Sequence, residues 1–486
     1  VFEMKEFHSV PIATSFDSKF KSDSPIYTSV NLPNEKFAIG SPPTGILVFD
    51  KNWQLEYIGN KKNGLQNNSV LSLVPDRIGN LWLGLDNGID YLETNSPITT
   101  LLPDGDLEGT GYTAHIYNNQ LYLGTNNGLY VKDLNSGIEG EFKPVSNTNG
   151  QVWGLSEVNG KLLMGHHLGA FEIEGESARK LRDNTGTWKF LPLNENQIIA
   201  GQYTGFSLYE LQNGSWQFSK KLEGLDESSR IVVRETRDVF WMAHPYRGIF
   251  KVRPDTEKGT AFFQFYDSEK GLPSNQFNHV FQINNKALFT GERGVFEFNF
   301  ELEKFELYEP LASFFDENAR IKTLSEEKNG NIWFAADDEV GVLKISDSGL
   351  ERKIEKMIFP ELSEKLLNGF EFIYPFDDQN IIFGSEKGFL HLNLEKYAQK
   401  DTIHKVILSE VRLNSSDSIL YVSSDFAPNP EEAVLSRFQN NPVFRYSSPV
   451  FNLEKKIEYQ TFLEGNDTDW THWNTKTERE FSNLPP

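Results

Sequence analysis

The chain contains no cysteine. Disulfides, a thiolate nucleophile and thiolate metal ligands are therefore excluded, while the compartment stays open. No apolar run reaches the roughly 18 residues a membrane helix needs. Helical periodicity is scarce as well. The best short helix candidate covers residues 360–369 and ends on Asn368-Gly369, a helix stop. Phosphate loops, Gly-x-Ser-x-Gly and His-Glu-x-x-His are missing, so no catalytic residue and no cofactor is expected. Asp104-Gly-Asp-Leu-Glu108 lacks the spacing and the final Glu of a calcium loop. Positive charge is in deficit: 47 Lys and Arg stand against 69 Asp and Glu, a net charge of −22. That field repels phosphate backbones and anionic lipid, so neither nucleic acid nor a membrane surface is an expected partner.

What the chain has is aromatics, 13% of its residues, including 38 Phe, and a repeat. Aromatic side chains favour strands. The clearest copy runs Asn68 to Asp76, then Gly79-Asn-Leu-Trp-Leu-Gly-Leu-Asp-Asn-Gly88, then Ile89 to Glu93: strand, turn, strand, turn, strand. Its core is strand–Gly–short turn–Gly–strand, and that core recurs nine times. The first small residue of each copy falls at 40, 84, 124, 165, 201, 243, 291, 335 and 384, a spacing of 36 to 49 residues. A small residue lets a strand end approach its neighbour, and the second Gly permits the positive φ of a tight hairpin. Four strands per copy is the size of a propeller blade, and no 3.6-residue period argues for a helical repeat.

Two copies and the tail carry a family resemblance. Asn68-Ser-Val-Leu-Ser-Leu73 with Asp76 and Gly79-Asn-Leu-Trp-Leu-Gly84 resembles the two-component-regulator propeller repeat. So do Ile321-Lys-Thr-Leu324 with Asn329-Gly-Asn-Ile-Trp-Phe334, and the segments 63–68 and 270–275. The tail resembles the triple-tyrosine domain, through Phe444-Arg-Tyr446, Ile457-Glu-Tyr459 to Asp467, Trp470, Trp473 and Phe481-Ser-Asn-Leu-Pro485. The resemblance implies the periplasmic sensor region of a Bacteroidetes-type inner-membrane regulator. The membrane helix and the kinase or helix-turn-helix output would lie outside this chain. It also implies paired seven-bladed rings and pairing of two copies through the tail.

The expected fold is all-β. Copies three to nine form a seven-bladed propeller at 108–398. Residues 1–107 supply two further blades of a preceding, incomplete propeller, with 1–7 as the outer strand of another. Residues 399–486 form a truncated β-sandwich. Both ends are expected to be cuts in a longer chain, because Val1 opens without a signal-peptide pattern and the tail stops directly after an apolar run. Closure of all nine copies into one larger ring stands as the alternative. Trp82 and Trp333, inside strands of the repeat, are expected in the core. Phe444, Tyr446, Tyr459, Phe462, Trp470 and Trp473 are expected to pack the sandwich.

Candidate site residues follow from topology. In a propeller the turns between second and third strands crowd one face, together with the loops entering the innermost strands. Those turns carry His166, His167, Gln202, Tyr203, His244, Tyr246, Arg247, Glu292 and Arg293. The loops add Trp153, Trp188, Arg230, Asn278 and His279. Aromatic planes stack on flat rings, and Arg and His give directional hydrogen bonds. The expected ligand-binding set is Trp153, His166, His167, Trp188, Tyr203, His244, Tyr246, Arg247 and Arg293. Trp153 and Trp188 fit packing between blades equally well. His166 and His167 make a poor metal pair, since neighbours on a strand face opposite ways. The reading is a ligand sensor for a small molecule or oligosaccharide. The alternatives are a propeller lyase or glycosidase, disfavoured because Glu292 is the only acid among these turns, and a protein-interaction scaffold.

Overall fold

The computed structural model describes residues 2–5, 8–11, 25–33, 35–42, 44–76, 79–136, 140–183, 186–347, 352–399, 406–414, 418–423, 435–436, 439–448, 457–482 and 484. The chain divides into two compact units, 1–398 and 399–486.

The first unit is an all-β propeller. Sheet 1 covers residues 28–59 and sheet 2 covers 70–92. Sheets 3 to 8 follow at 111–144, 152–183, 187–222, 231–266, 279–307 and 321–358. Sheet 9 is formed by 373–393. Each is an antiparallel meander of four strands, except that sheet 2 has three and sheet 9 takes its fourth from upstream. All nine Gly-turn-Gly copies sit between the second and third strands of a sheet. The second strands read as unbroken apolar runs, such as Leu162–Met164 and Phe240–Ala243, because both of their faces are buried.

The sheets stack through separate apolar clusters. Sheets 1 and 2 share Ile46, Val70 and Leu83. Phe206, Leu208 and Phe240 lie between sheets 5 and 6, and Trp241 and Phe289 between sheets 6 and 7. Sheet 9 packs on sheet 3 through Ile382, Phe389, Ala114 and Leu123. The seam is also hydrogen-bonded, with the Gly111 amide donating to Ser385 O at 3.0 Å. A Cβ on Gly384 would lie 2.6 Å from Gly111 O, so only glycine admits this approach. Within the ring, Gly165 meets sheet 5 in the same way, 2.3 Å from Trp188 O. Sheets 3 to 9 therefore close on one another.

The closing strand is Ile98–Leu101, which pairs antiparallel with Phe389–Asn393, Ile98 opposite Leu392 and Leu101 opposite Phe389. It lies upstream of residue 108, where the ring was expected to begin. Three other expectations are corrected. Phe2–Lys5 pairs with His8–Pro11 in a two-stranded ladder and is not the outer strand of a blade among the described residues. The 360–369 segment holds only a 3-10 turn, Pro360–Leu362, because Pro360 and the open loop after it leave no room for i→i+4 bonds. Trp333 is fully buried, but Trp82 is only half-buried. The apolar residues alternating with Trp82 (Leu81, Leu83, Leu85) face sheet 1, whereas no described sheet covers the face that bears it, so Val74 and Ile89 are exposed too.

The second unit contains one four-stranded sheet in the order Ser418–Val422, Ile407–Leu413, Pro442–Ser447, Glu478–Glu480. Tyr446 and Tyr459 are buried against each other, centroids 5.2 Å apart. Phe444 is half-buried beside Phe481. Phe462, Trp470 and Trp473 are exposed, contrary to expectation. A single described sheet offers them no second layer to pack against.

Candidate ligand-binding site

The innermost strands of sheets 3, 4 and 5 share a local irregularity. Their register shifts between Gly111 and Thr113, between Val152 and Gly154, and between Thr187 and Lys189. One residue is left over each time, and a bulge re-aims its side chain. The extra residues are Tyr112, Trp153 and Trp188. Their rings form a chain across three consecutive sheets, with centroids 4.9 Å apart from Tyr112 to Trp153 and 4.9 Å from Trp153 to Trp188. Tyr203, from the turn of sheet 5, continues it at 4.9 Å from Trp188. The Trp153 indole N–H donates to the Tyr203 hydroxyl at 2.8 Å, and that of Trp188 to Ser228 Oγ at 3.1 Å. All four rings are half-buried, between core and solvent.

Arg230 and Phe370 complete the group. Arg230 enters from the loop before sheet 6, its guanidinium carbon 3.7 Å from the Phe370 centroid and 5.9 Å from that of Trp188. It donates to the Gly369 carbonyl. Burial pulls its pKa down, while Glu371, Tyr246 and Tyr112 act against that pull. His279 sits nearby on the first strand of sheet 7. Burial lowers its pKa to about 4 despite its hydrogen bond to Phe277 O, and the Arg230 charge pushes the same way. The mouth thus joins a stacking wall to a desolvated cation and a neutral imidazole.

Of the expected residues, Trp153, Trp188 and Tyr203 come together here. His244, Tyr246 and Arg247 form a second group beside Glu227. Arg247 forms an ion pair with Glu227, and His244 Nε2 lies 3.8 Å from its carboxylate. Tyr246 is 73% exposed. His166 and His167 stand apart, and both serve their own turn. His166 is 1% exposed and its Nδ1 accepts from the Leu168 amide; burial, then the His167 charge, lowers its pKa to about 4. His167 Nδ1 accepts from the Gln151 amide. Both ring nitrogens face backbone because the tight turn needs its amides satisfied, so neither is placed as a ligand contact. Arg293 is exposed and makes no hydrogen bond or ion pair among the described residues.

Tyr112 and Phe370 were not anticipated. Tyr112 precedes Gly124 by the same 12 residues that separate Trp153 from Gly165, so the repeat spacing could have found it. Phe370 lies in a loop without repeat character, and no sequence signal marks it. Among the described residues no group of His, Asp and Glu could hold a metal ion. No helix among them is long and apolar enough to cross a membrane.

This is a propeller whose residues 64–87 match the family model of the two component regulator propeller. No curated protein matches the chain. Among solved structures it is similar to the extracellular domain of the hybrid two component system BT3049 from B. thetaiotaomicron, at TM-score 0.65 and 17% identity, over 95% of this chain and 64% of that one. The extracellular domain of BT4673 from the same organism gives TM-score 0.47 and 16% identity, over 95% and 66% of the two chains. Virginiamycin B lyase from Staphylococcus aureus gives TM-score 0.42 and 12% identity, over 61% and 98%. The last two superpose too loosely to inform the site. The chain spans about two thirds of the length of the BT3049 domain it resembles.

Proposed function

We propose that this chain is the extracytoplasmic, ligand-sensing part of a bacterial transmembrane regulator, not an enzyme, and that the mouth of the ring binds a small molecule or oligosaccharide. The carrying observation is the unbroken aromatic wall of Tyr112, Trp153 and Trp188 beside the mostly buried Arg230. A wall of stacked rings with one directional cation suits a polar compound with a flat face. Likeness to extracellular sensor domains supports the setting. The carboxylate of Glu227 is occupied by Arg247, which does not favour acid–base work.

In this reading sheets 3 to 9 are one seven-bladed propeller, and sheets 1 and 2 are the last blades of another. The unit at 399–486 is a triple-tyrosine domain that transmits the signal and pairs two copies. A thermal-shift screen against an oligosaccharide panel tests the mouth. At least one member should raise the melting temperature, and Trp153→Ala should abolish the shift. Binding that survives both Trp153→Ala and Arg230→Met would overturn the assignment. For the tail, removal of 399–486 should abolish dimerisation in light scattering; an unchanged dimer would refute it.

A further inference from the structure

The mouth already holds an occupant. Phe370 belongs to the loop joining sheets 8 and 9. Its ring lies on Trp153 with planes 16° apart and centroids at 5.6 Å, and meets Tyr112 edge-on at 5.4 Å. Arg230 lies over the same ring and donates to the carbonyl of the preceding residue, Gly369. One flat apolar ring and one acceptor oxygen, adjacent in the chain, thus occupy the stacking wall and the cation together.

Resting on the reading of the mouth as a binding site, we propose that Gly369 and Phe370 are an internal stand-in for the ligand. The ligand is then a compound with a flat-faced six-membered ring and a carboxylate, which displaces the loop and takes over both contacts.

Two features carry this beyond ordinary packing. The first is that Arg230 is undersupplied. A guanidinium has five N–H donors. Among the described residues Arg230 forms no ion pair and a single hydrogen bond, to a neutral carbonyl. A carboxylate would offer two charge-assisted bonds, roughly twice as strong as neutral ones. It would also neutralise a cation that burial disfavours.

The second is that the loop is pinned only at its ends. Leu366 bridges to Ser385, and the Gly384 amide donates to Phe372 O at 3.0 Å. Between these anchors Asn368 and Gly369 are exposed, and Gly369 has φ +78° with open space around it. A glycine in that conformation can swing the segment without moving either anchor. An internal competitor also lowers apparent affinity by the fraction of time the mouth stands open.

The ring-plus-carboxylate chemistry has two sources, an aromatic acid or a uronic-acid sugar. Calorimetric titrations with phenylacetate, glucuronate and benzyl alcohol separate them. The proteins are the wild type, Phe370→Ala and Phe370→Ala with Arg230→Met, each checked for an intact fold by circular dichroism. Phe370→Ala should bind one of the two acids about tenfold or more tightly than the wild type does. Arg230→Met should remove that gain, and benzyl alcohol should be indifferent to it. Equal acid affinity with and without Phe370 would overturn the stand-in, while leaving the mouth reading intact if Trp153→Ala still weakens binding. Failure of both acids to bind Phe370→Ala, or equal affinity for benzyl alcohol, would overturn the ligand class. Binding unaffected by Trp153→Ala would sink the mouth reading itself. If Phe370→Ala does not fold, hydrogen exchange of amides 367–372 in the wild type decides. It should accelerate when saturating acid is added, and unchanged exchange would refute displacement.

Discussion

Trp333 and Trp82 occupy equivalent places in two copies of one repeat, so truncating each measures what the neighbouring sheet contributes. Trp333 is 0% exposed, packed on Phe359 at 5.3 Å and Phe383 at 5.8 Å. Burying a Trp removes roughly 200 Å² from water, worth about 5 kcal/mol at ~25 cal/mol per Å². Measured Trp→Ala changes in cores run about 3–5 kcal/mol. The indole also donates to Glu327, which is 6% exposed and keeps a hydrogen bond from Asn331 at 2.9 Å. Losing one of two donors adds about 1 kcal/mol. Trp333→Ala should therefore cost about 5 kcal/mol, and Trp333→Phe about 2. Trp82 is half-buried and touches Tyr91 at 4.9 Å, so Trp82→Ala should cost about 2 kcal/mol. Urea denaturation followed by circular dichroism, with midpoints compared at constant slope, reads both values. Equal losses at the two sites would refute the reasoning, because they would mean that the outer face of sheet 2 is covered.

Other outcomes follow from charge and closure. His166 and His279 are held neutral, with pKa values lowered from 6.5 to about 4. The unfolded chain binds the extra protons, so their contribution is whole above about pH 6.5 and is lost as pH falls towards 4. His166→Asn with His279→Gln should flatten the urea midpoint against pH across that window; an unchanged slope would refute it. Asp467 shifts the other way, held at about 2 by Arg479, which donates to both of its oxygens at 2.6 and 2.8 Å. Its contribution is present above about pH 4 and is lost as pH falls through 2. Arg479→Met should abolish that acid dependence and speed amide exchange at Leu463. Removing residues 1–101 should lower the melting temperature of the ring well below that of a chain lacking only 1–95, and equal melting would refute closure by Ile98–Leu101.

The parts of this fold that were legible in the sequence are the local ones. A Gly-turn-Gly hairpin is specified by a few neighbouring residues, and all nine emerged where the spacing put them. The closing strand was not legible, because Ile98-Thr-Thr-Leu101 finds its partner only at 389–392, across the whole ring. Trp82 and Trp333 sit in nearly the same motif, and what separates them is the sheet next door, which no local pattern encodes. At the site, Trp153, Trp188 and Tyr203 could be read from position alone. His166 was misread, since its turn consumes the side chain. Phe370 was invisible, because a loop residue has no period.

The position of the sealing strand has a mechanical consequence. Ile98–Leu101 follows sheet 2 after a connector of five residues, 93–97, and its partner Phe389–Asn393 runs directly into the helix Leu394–Ala398 at the end of the first unit. Tension between the upstream sheets and the chain beyond 398 therefore does not travel around the ring. It crosses four residue pairs, Ile98 with Leu392 through Leu101 with Phe389, as a load on a single ladder. The latch that keeps the ring shut is also its shortest load path, so anything that shifts the first two sheets pulls on the seam where sheet 9 meets sheet 3.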